Sequence, residues 1–141
     1  MIAAATINLK LEKIREYLKL LQTLQKIPLE VFLKDFIVQG AVLRYLQIVI
    51  ECAIDVADVL ISERRWSRPR ESKETFLLLL QKQVLPESLA RRLAEAARFR
   101  NFIVHEYDRI NLDLVYKHLQ EDIADIDSFA KVIAEFLVKN R

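Results

Sequence analysis

Apolar residues recur every three or four positions along almost the whole chain, which is the spacing of one face of an α-helix. Ile7, Leu11, Ile14, Leu18 and Leu21 form the first stripe and predict a helix over about residues 6–26, stopped by Pro28. A short helix over about 29–36 follows. Val42, Leu46, Val49, Ala53, Val56 and Leu60 mark a long helix over about 38–63, with the single glycine, Gly40, near its start. The pattern breaks at "ERRWSRPR", read as a loop containing Pro69. Ser72 is placed to cap a helix over about 73–82 carrying "FLLLL". Pro86 suits the first turn of the next helix, which runs through "ESLARRLAEAARFRNFIVHEY" to about residue 106. Asn111 or Asp113 caps a last helix over about 113–138, with Leu114, Leu119, Ile123, Ile126, Phe129 and Ile133 on its apolar stripe. The expectation is an all-α bundle of four main helices plus short ones, in one domain spanning residues 1–141.

Composition agrees. Hydrophobic residues are 52% of the chain, enough for a sizeable core, and one glycine with three prolines is too few for a sheet rich in tight hairpins. The most apolar long stretch, "QIVIECAIDVADVLI", carries Glu51, Asp55 and Asp58, so no membrane span is expected. A lone Cys52 among Ile50, Ala53 and Ile54 reads as a small buried hydrophobe, and with no leader-like N-terminus the chain is placed in the cytoplasm. The net charge of +2 does not by itself predict nucleic-acid binding; its distribution matters more.

One segment concentrates polar chemistry: "RFRNFIVHEYDRI", residues 98–110, which holds one of only two histidines. On a helix Asn101 and His105 lie four apart on one face, Arg98 joins that face seven before His105, and Arg100 and Tyr107 share another. Arg100 is then about 140° from His105. For the two to act together, the helix must end near His105 or a second subunit must supply one of them. Phe102, Ile103 and Val104 are expected to anchor the segment to the core. A histidine can move a proton near neutral pH and an arginine offers a planar, permanently charged fork for phosphate. RNA carries its own nucleophile, the 2′-OH, so an acid/base group and a cation suffice to cleave it. A plainer role also fits these residues: His105 ending a helix where a cation is favoured, with the arginines and tyrosine as surface or interface groups.

"RNFIVHEY" resembles the Arg-X4-His-X-Tyr motif of the HepT toxins, a branch of the HEPN superfamily, with Arg100 rather than Arg98 at the arginine position because Asn101 follows it. "LRYLQIVIECAIDVADVLI", the segment from "RPRESKETF" to Asn101, and "LDLVYKHLQEDIADIDSFAKVIAEFL" resemble the family's helices, so the likeness covers nearly the whole chain. It implies a HEPN-type antiparallel bundle that forms a homodimer with two motifs in one cleft. It also implies a metal-independent endoribonuclease toxin with no cofactor of its own. The implied partner is a minimal nucleotidyltransferase antitoxin, MntA, which can use ATP to place AMP on the motif tyrosine, Tyr107. On that resemblance Arg100 and His105 are catalytic and Asn101 and Tyr107 supporting. A HEPN-type module that binds nucleotide or RNA, or scaffolds the nucleotidyltransferase, without cutting is the alternative, and a purely structural helical dimer is a third.

Outside the motif, "RRWSRPR" surrounds Trp66 with four arginines. Arg64, Arg65 and Arg68, together with Arg98, are candidate RNA contacts; an acidic antitoxin surface or plain solvent would suit the loop equally. His118 and Tyr116 read as surface or interface residues. Glu51, Asp55 and Asp58 either form a polar face toward a cleft or, the favoured reading, face solvent, and no metal-ligand spacing links His105 to His118.

Overall fold

A computed structural model describes residues 2–140; the side chain of Tyr107, a residue expected to take part in the site, lies outside the described set. Six helices follow one another, α1 (Ile2–Gln25), α2 (Leu29–Phe32), α3 (Phe36–Glu63), α4 (Ser72–Gln81), α5 (Glu87–His105) and α6 (Leu112–Lys139), with a 3-10 turn at Tyr107–Arg109. No strand occurs among the described residues, as the periodicity requires. No helix is long and apolar enough to cross a membrane.

The predicted stripes are the core. Ile7, Leu11, Ile14, Leu18 and Leu21 of α1 are buried against Val42, Leu46, Val49, Ala53, Val56 and Leu60 of α3, and Cys52 is buried with them. Antiparallel packing of α1 on α6 is fixed at one end by reciprocal side chain–backbone bonds: Gln25 Nε2 donates to the Leu119 carbonyl at 3.1 Å and Gln120 Nε2 to the Gln25 carbonyl at 3.1 Å. α5 runs antiparallel to α6, with Arg92 on Asp125 at 2.8 Å and Phe99 stacked on His118 at 3.8 Å. Phe76 of α4 meets Phe129 of α6 edge-on at 5.5 Å, which closes the bundle.

Most differences from expectation arise at helix ends. α1 starts at Ile2 because the alanines before the first buried residue are strong helix formers. α2 ends at Phe32 and α3 starts at Phe36 because the Asp35 carboxylate accepts from the Ile37 and Val38 N–H groups, capping the second helix. Ser72 is the first residue of α4, not its cap; Glu71 precedes it and makes no side-chain cap bond. Pro86 occupies the N-cap of α5 rather than its first turn. Asn111, not Asp113, caps α6, its Oδ1 accepting from Asp113 N at 2.9 Å and Leu114 N at 3.2 Å. Leu114, expected on the stripe of α6, is exposed, and Val115 takes the core position.

With one glycine in the chain, two helix ends use left-handed residues that carry side chains. Arg65 (φ 58°) follows α3 and Gln83 (φ 62°) follows α4. The next amides fold back, Trp66 N to Ile61 O at 3.1 Å and Val84 N to Leu79 O at 2.8 Å, satisfying end carbonyls.

Candidate active site

The "RFRNFIVHEY" segment forms the last two turns of α5, and the helix stays regular until it stops at His105. Leu89, Leu93, Ala96, Phe99 and Ile103 bury one face of α5, which turns Arg100 and Asn101 partly outward, beside α3. Of the three apolar residues expected to anchor this segment, only Ile103 is buried; Phe102 is 36% and Val104 46% exposed. They flank the stripe that Phe99 and Ile103 define, so a single chain leaves apolar surface beside His105.

Arg100 is half-buried and heavily bonded. Its Nε donates to Glu51 Oε1 at 3.2 Å, its Nη2 lies 3.2 Å from the same oxygen, and its Nη1 donates to Asn101 Oδ1 at 2.9 Å. Gln47, one turn before Glu51 on α3, also donates to Oε1 at 3.0 Å. Two helices therefore hold one guanidinium in a fixed orientation, and N–H donors remain on Nη1 and Nη2 for a further anion. His105 is exposed and is the C-terminal residue of α5. No hydrogen bond joins Arg100 to His105 among the described residues, and five residues of regular helix separate them by about 140°.

For Glu51, Asp55 and Asp58 the favoured expectation was solvent, with a polar face toward a cleft as the other. Each instead has a cation from another segment: Arg100 on Glu51, Lys10 on Asp55 at 3.2 Å and Arg68 on Asp58 at 3.7 Å. The available signal was the position of these acids, inside the most apolar stretch of the chain. Burial raises the Asp58 carboxyl above its ordinary value, and Arg68 pulls the other way.

His118 is neither a free surface group nor close to His105 in sequence. It lies in the seam between α5 and α6, stacked on Phe99, with Nδ1 2.9 Å from Asp122 Oδ2. Asp122 is buried, and that burial raises its carboxyl, with the hydrogen bond and charge of His118 opposing it. Phe99 precedes Arg100, so this pair braces the helix that carries the motif. Tyr116 packs against Phe32 and donates to the Ile27 carbonyl at 2.6 Å, a structural role.

Of the remaining candidate arginines, the structure keeps Arg98 on the helix of the motif and separates Arg64, Arg65 and Arg68 from it. Arg98 pairs with Glu95 at 3.2 Å on the exposed face of α5. Arg64, Arg65 and Arg68 lie past the far end of α3; the thirteen residues from Glu51 to Arg64 span about 20 Å. Arg64 turns inward over the Phe136 ring at 5.0 Å and donates to the Asn140 carbonyl at 3.3 Å.

A match to the family described as "Ribonuclease HepT-like" spans residues 10–133, including every motif residue and the helices that hold them. The chain belongs to the HepT-like ribonuclease family. The HepT-like chain is 32% identical over 102 residues to the mRNA nuclease HepT of Shewanella oneidensis, covering 72% of itself and 77% of that protein. It is 30% identical over 132 residues to the tRNA nuclease HepT of Aphanizomenon flos-aquae, covering 94% and 90%. Its fold superposes with a TM-score of 0.84 on the tri-AMPylated Shewanella oneidensis HEPN toxin, solved in complex with an MNT antitoxin, at 29% identity over 92% of this chain and 97% of that one.

Proposed function

We propose that this HepT-like chain is the toxin of a toxin–antitoxin pair, an endoribonuclease whose site is assembled between two copies, and that a nucleotidyltransferase antitoxin neutralises it. The observation that carries this reading is the orientation of Arg100. Glu51 and Asn101 fix its fork while His105, on the same helix, points elsewhere. On one regular helix the two groups leave the axis about 140° apart, and a twofold partner would bring the second group to the same phosphodiester. The surface around the motif suits such a partner. Phe102 and Val104 are exposed beside His105, and Ile37 is 86% exposed on the α3 stripe that continues through Gly40, Arg44 and Gln47 to Glu51. A Cβ at Gly40 would meet nothing within 4 Å, so another backbone can approach closely there.

Arg100 then binds the scissile phosphate through its remaining donors and stabilises the charge that develops on it. His105 takes the 2′-OH proton or delivers one to the leaving oxygen, and Asn101 keeps the guanidinium in register. Nothing in these steps calls on a metal. Tyr107 is the proposed acceptor of AMP; the added phosphate brings negative charge to the motif and competes with RNA. The relatives named as mRNA and tRNA nucleases, and the AMPylated toxin crystallised with its antitoxin, support this reading.

Mixing two inactive variants tests the shared site. Arg100→Ala and His105→Ala should each abolish cleavage of RNA in excess chelator. Refolded together, they should recover on the order of a quarter of wild-type activity, because half of the randomly formed dimers hold one intact site of two. No recovery in dimers confirmed as mixed by native mass spectrometry refutes assembly in trans. Cleavage persisting in either single variant removes the assigned roles.

A further inference from the structure

At the far end of α3, between its last two turns, the start of α1 and the loop that follows α3, lies a groove of about 730 Å³ that the cleavage motif does not use. Ile2, Ala3, Val59, Ile61 and Trp66 give it apolar walls, and Arg65, Arg68, Asp58 and Glu63 supply charge of both signs at its edge. Arg65 is exposed and, among the described residues, its side chain has no hydrogen-bond or ion-pair partner. Arg68 is 77% exposed and reaches Asp58 only at 3.7 Å, too long for a hydrogen bond. Asp58 is half-buried and presents a carboxylate to the groove.

Residues 64–70 hold four arginines and no acid, so with a net charge of +2 for the whole chain the other residues sum to −2. Glu63 and Glu71 flank the run and Arg64 pairs with Glu63, which leaves Arg65 and Arg68 as the exposed guanidiniums of the loop beside the groove.

Resting on the nuclease reading, we infer that this groove is a second RNA site, which holds a single-stranded segment of the substrate with one base against the apolar wall at Trp66 and the flanking phosphates on Arg65 and Arg68. An apolar, aromatic-lined slot beside exposed guanidiniums is the combination that binds single strands, and the Asp58 carboxylate can accept a base amino or imino hydrogen. The fourteen residues from Glu51 to Arg65 span about 21 Å, which at 3.4 Å per stacked nucleotide is about six nucleotides from the scissile bond. The groove thus selects RNA long enough to bridge both sites.

Arg65→Gly is the informative variant. It removes the guanidinium and relieves a left-handed backbone, so weaker binding cannot be blamed on unfolding. Binding is measured by fluorescence anisotropy in the His105→Ala background, with labelled single-stranded RNAs of about twenty and about four nucleotides, and Arg15→Gln, an exposed cation on α1, as the charge control. The expected result is a roughly three- to tenfold weaker Kd for the long RNA, with the slope of log K against log salt reduced by about 0.7, and a smaller preference for long over short RNA. Arg68→Ala should move the same quantities the same way. Equal weakening in Arg15→Gln, or unchanged long-RNA binding in Arg65→Gly, overturns the proposal. So does a loss confined to binding of the co-purified nucleotidyltransferase, which would make the groove a protein-docking site. Binding is read separately from cleavage: a protein that holds long RNA through Arg65 yet cuts nothing keeps the groove and loses the nuclease.

Discussion

Glu51 Oε1 is approached by three donors, one from Gln47 and two from Arg100, and that crowding defines what the residue does. A lone surface ion pair contributes little to stability. Here the pair fixes the aim of a guanidinium that, on the proposed mechanism, meets a phosphate. On the same reading the carboxylate offsets charge that would attract RNA. Glu51→Gln should therefore lower KM for RNA while reducing kcat by roughly ten- to a hundredfold, since the fork binds more readily but is less well placed. Steady-state kinetics on one RNA reads both constants; if neither moves, Glu51 is an ordinary ion pair. At the other left-handed position, Gln83, the side chain carries no such duty. Gln83→Gly should stabilise the fold by up to about 1 kcal/mol, seen as a higher urea midpoint with an unchanged slope.

Among the helices, the α5–α6 seam holds a buried carboxyl, Asp122, whose protonation is coupled to folding. Burial holds the Asp122 carboxyl above its ordinary value of 3.8, so the folded chain keeps that proton more tightly than the unfolded chain. The stability this contributes is fully present below pH 3.8 and is lost as pH rises through the raised value. Asp58, raised by burial as well, adds in the same direction. Asp122→Asn should flatten the decline in urea midpoint from pH 4 upward, and an unaltered pH profile would show that Asp122 does not cause it. The helices themselves were legible from apolar spacing because burial of a stripe is what forms them. Their ends were less so: Asp35 and Asn111 cap through local side-chain bonds that depend on backbone angles, and Pro86 sits one position earlier than its preference suggests. The seam was not legible at all, since His118 and Phe99 are nineteen residues apart and only antiparallel packing stacks them.

Over the whole molecule, the motif could be found from residue types in order, and its angular problem from helix geometry alone. Its support could not, because Glu51 reaches Arg100 across 49 positions of sequence. The mistaken assignment of Phe102 and Val104 to the core has a physical reason. On the proposed reading they lie between two copies, and apolar residues at such an interface look like core residues in sequence while the isolated chain leaves them exposed. Val104→Glu places a charge on that surface without touching Arg100 or His105. It should shift the protein from dimer to monomer in sedimentation equilibrium and abolish cleavage, with the helical circular-dichroism signal retained. A fully dimeric, active Val104→Glu protein would contradict the proposed seating of the partner.

The wide angle between Arg100 and His105 on one helix has a further effect. When cleavage needs two chains, the number of working centres in a dilute population rises with the square of the amount made. A few stray copies of such a poison are then nearly harmless, and a modest surplus over the antidote is enough to turn it on.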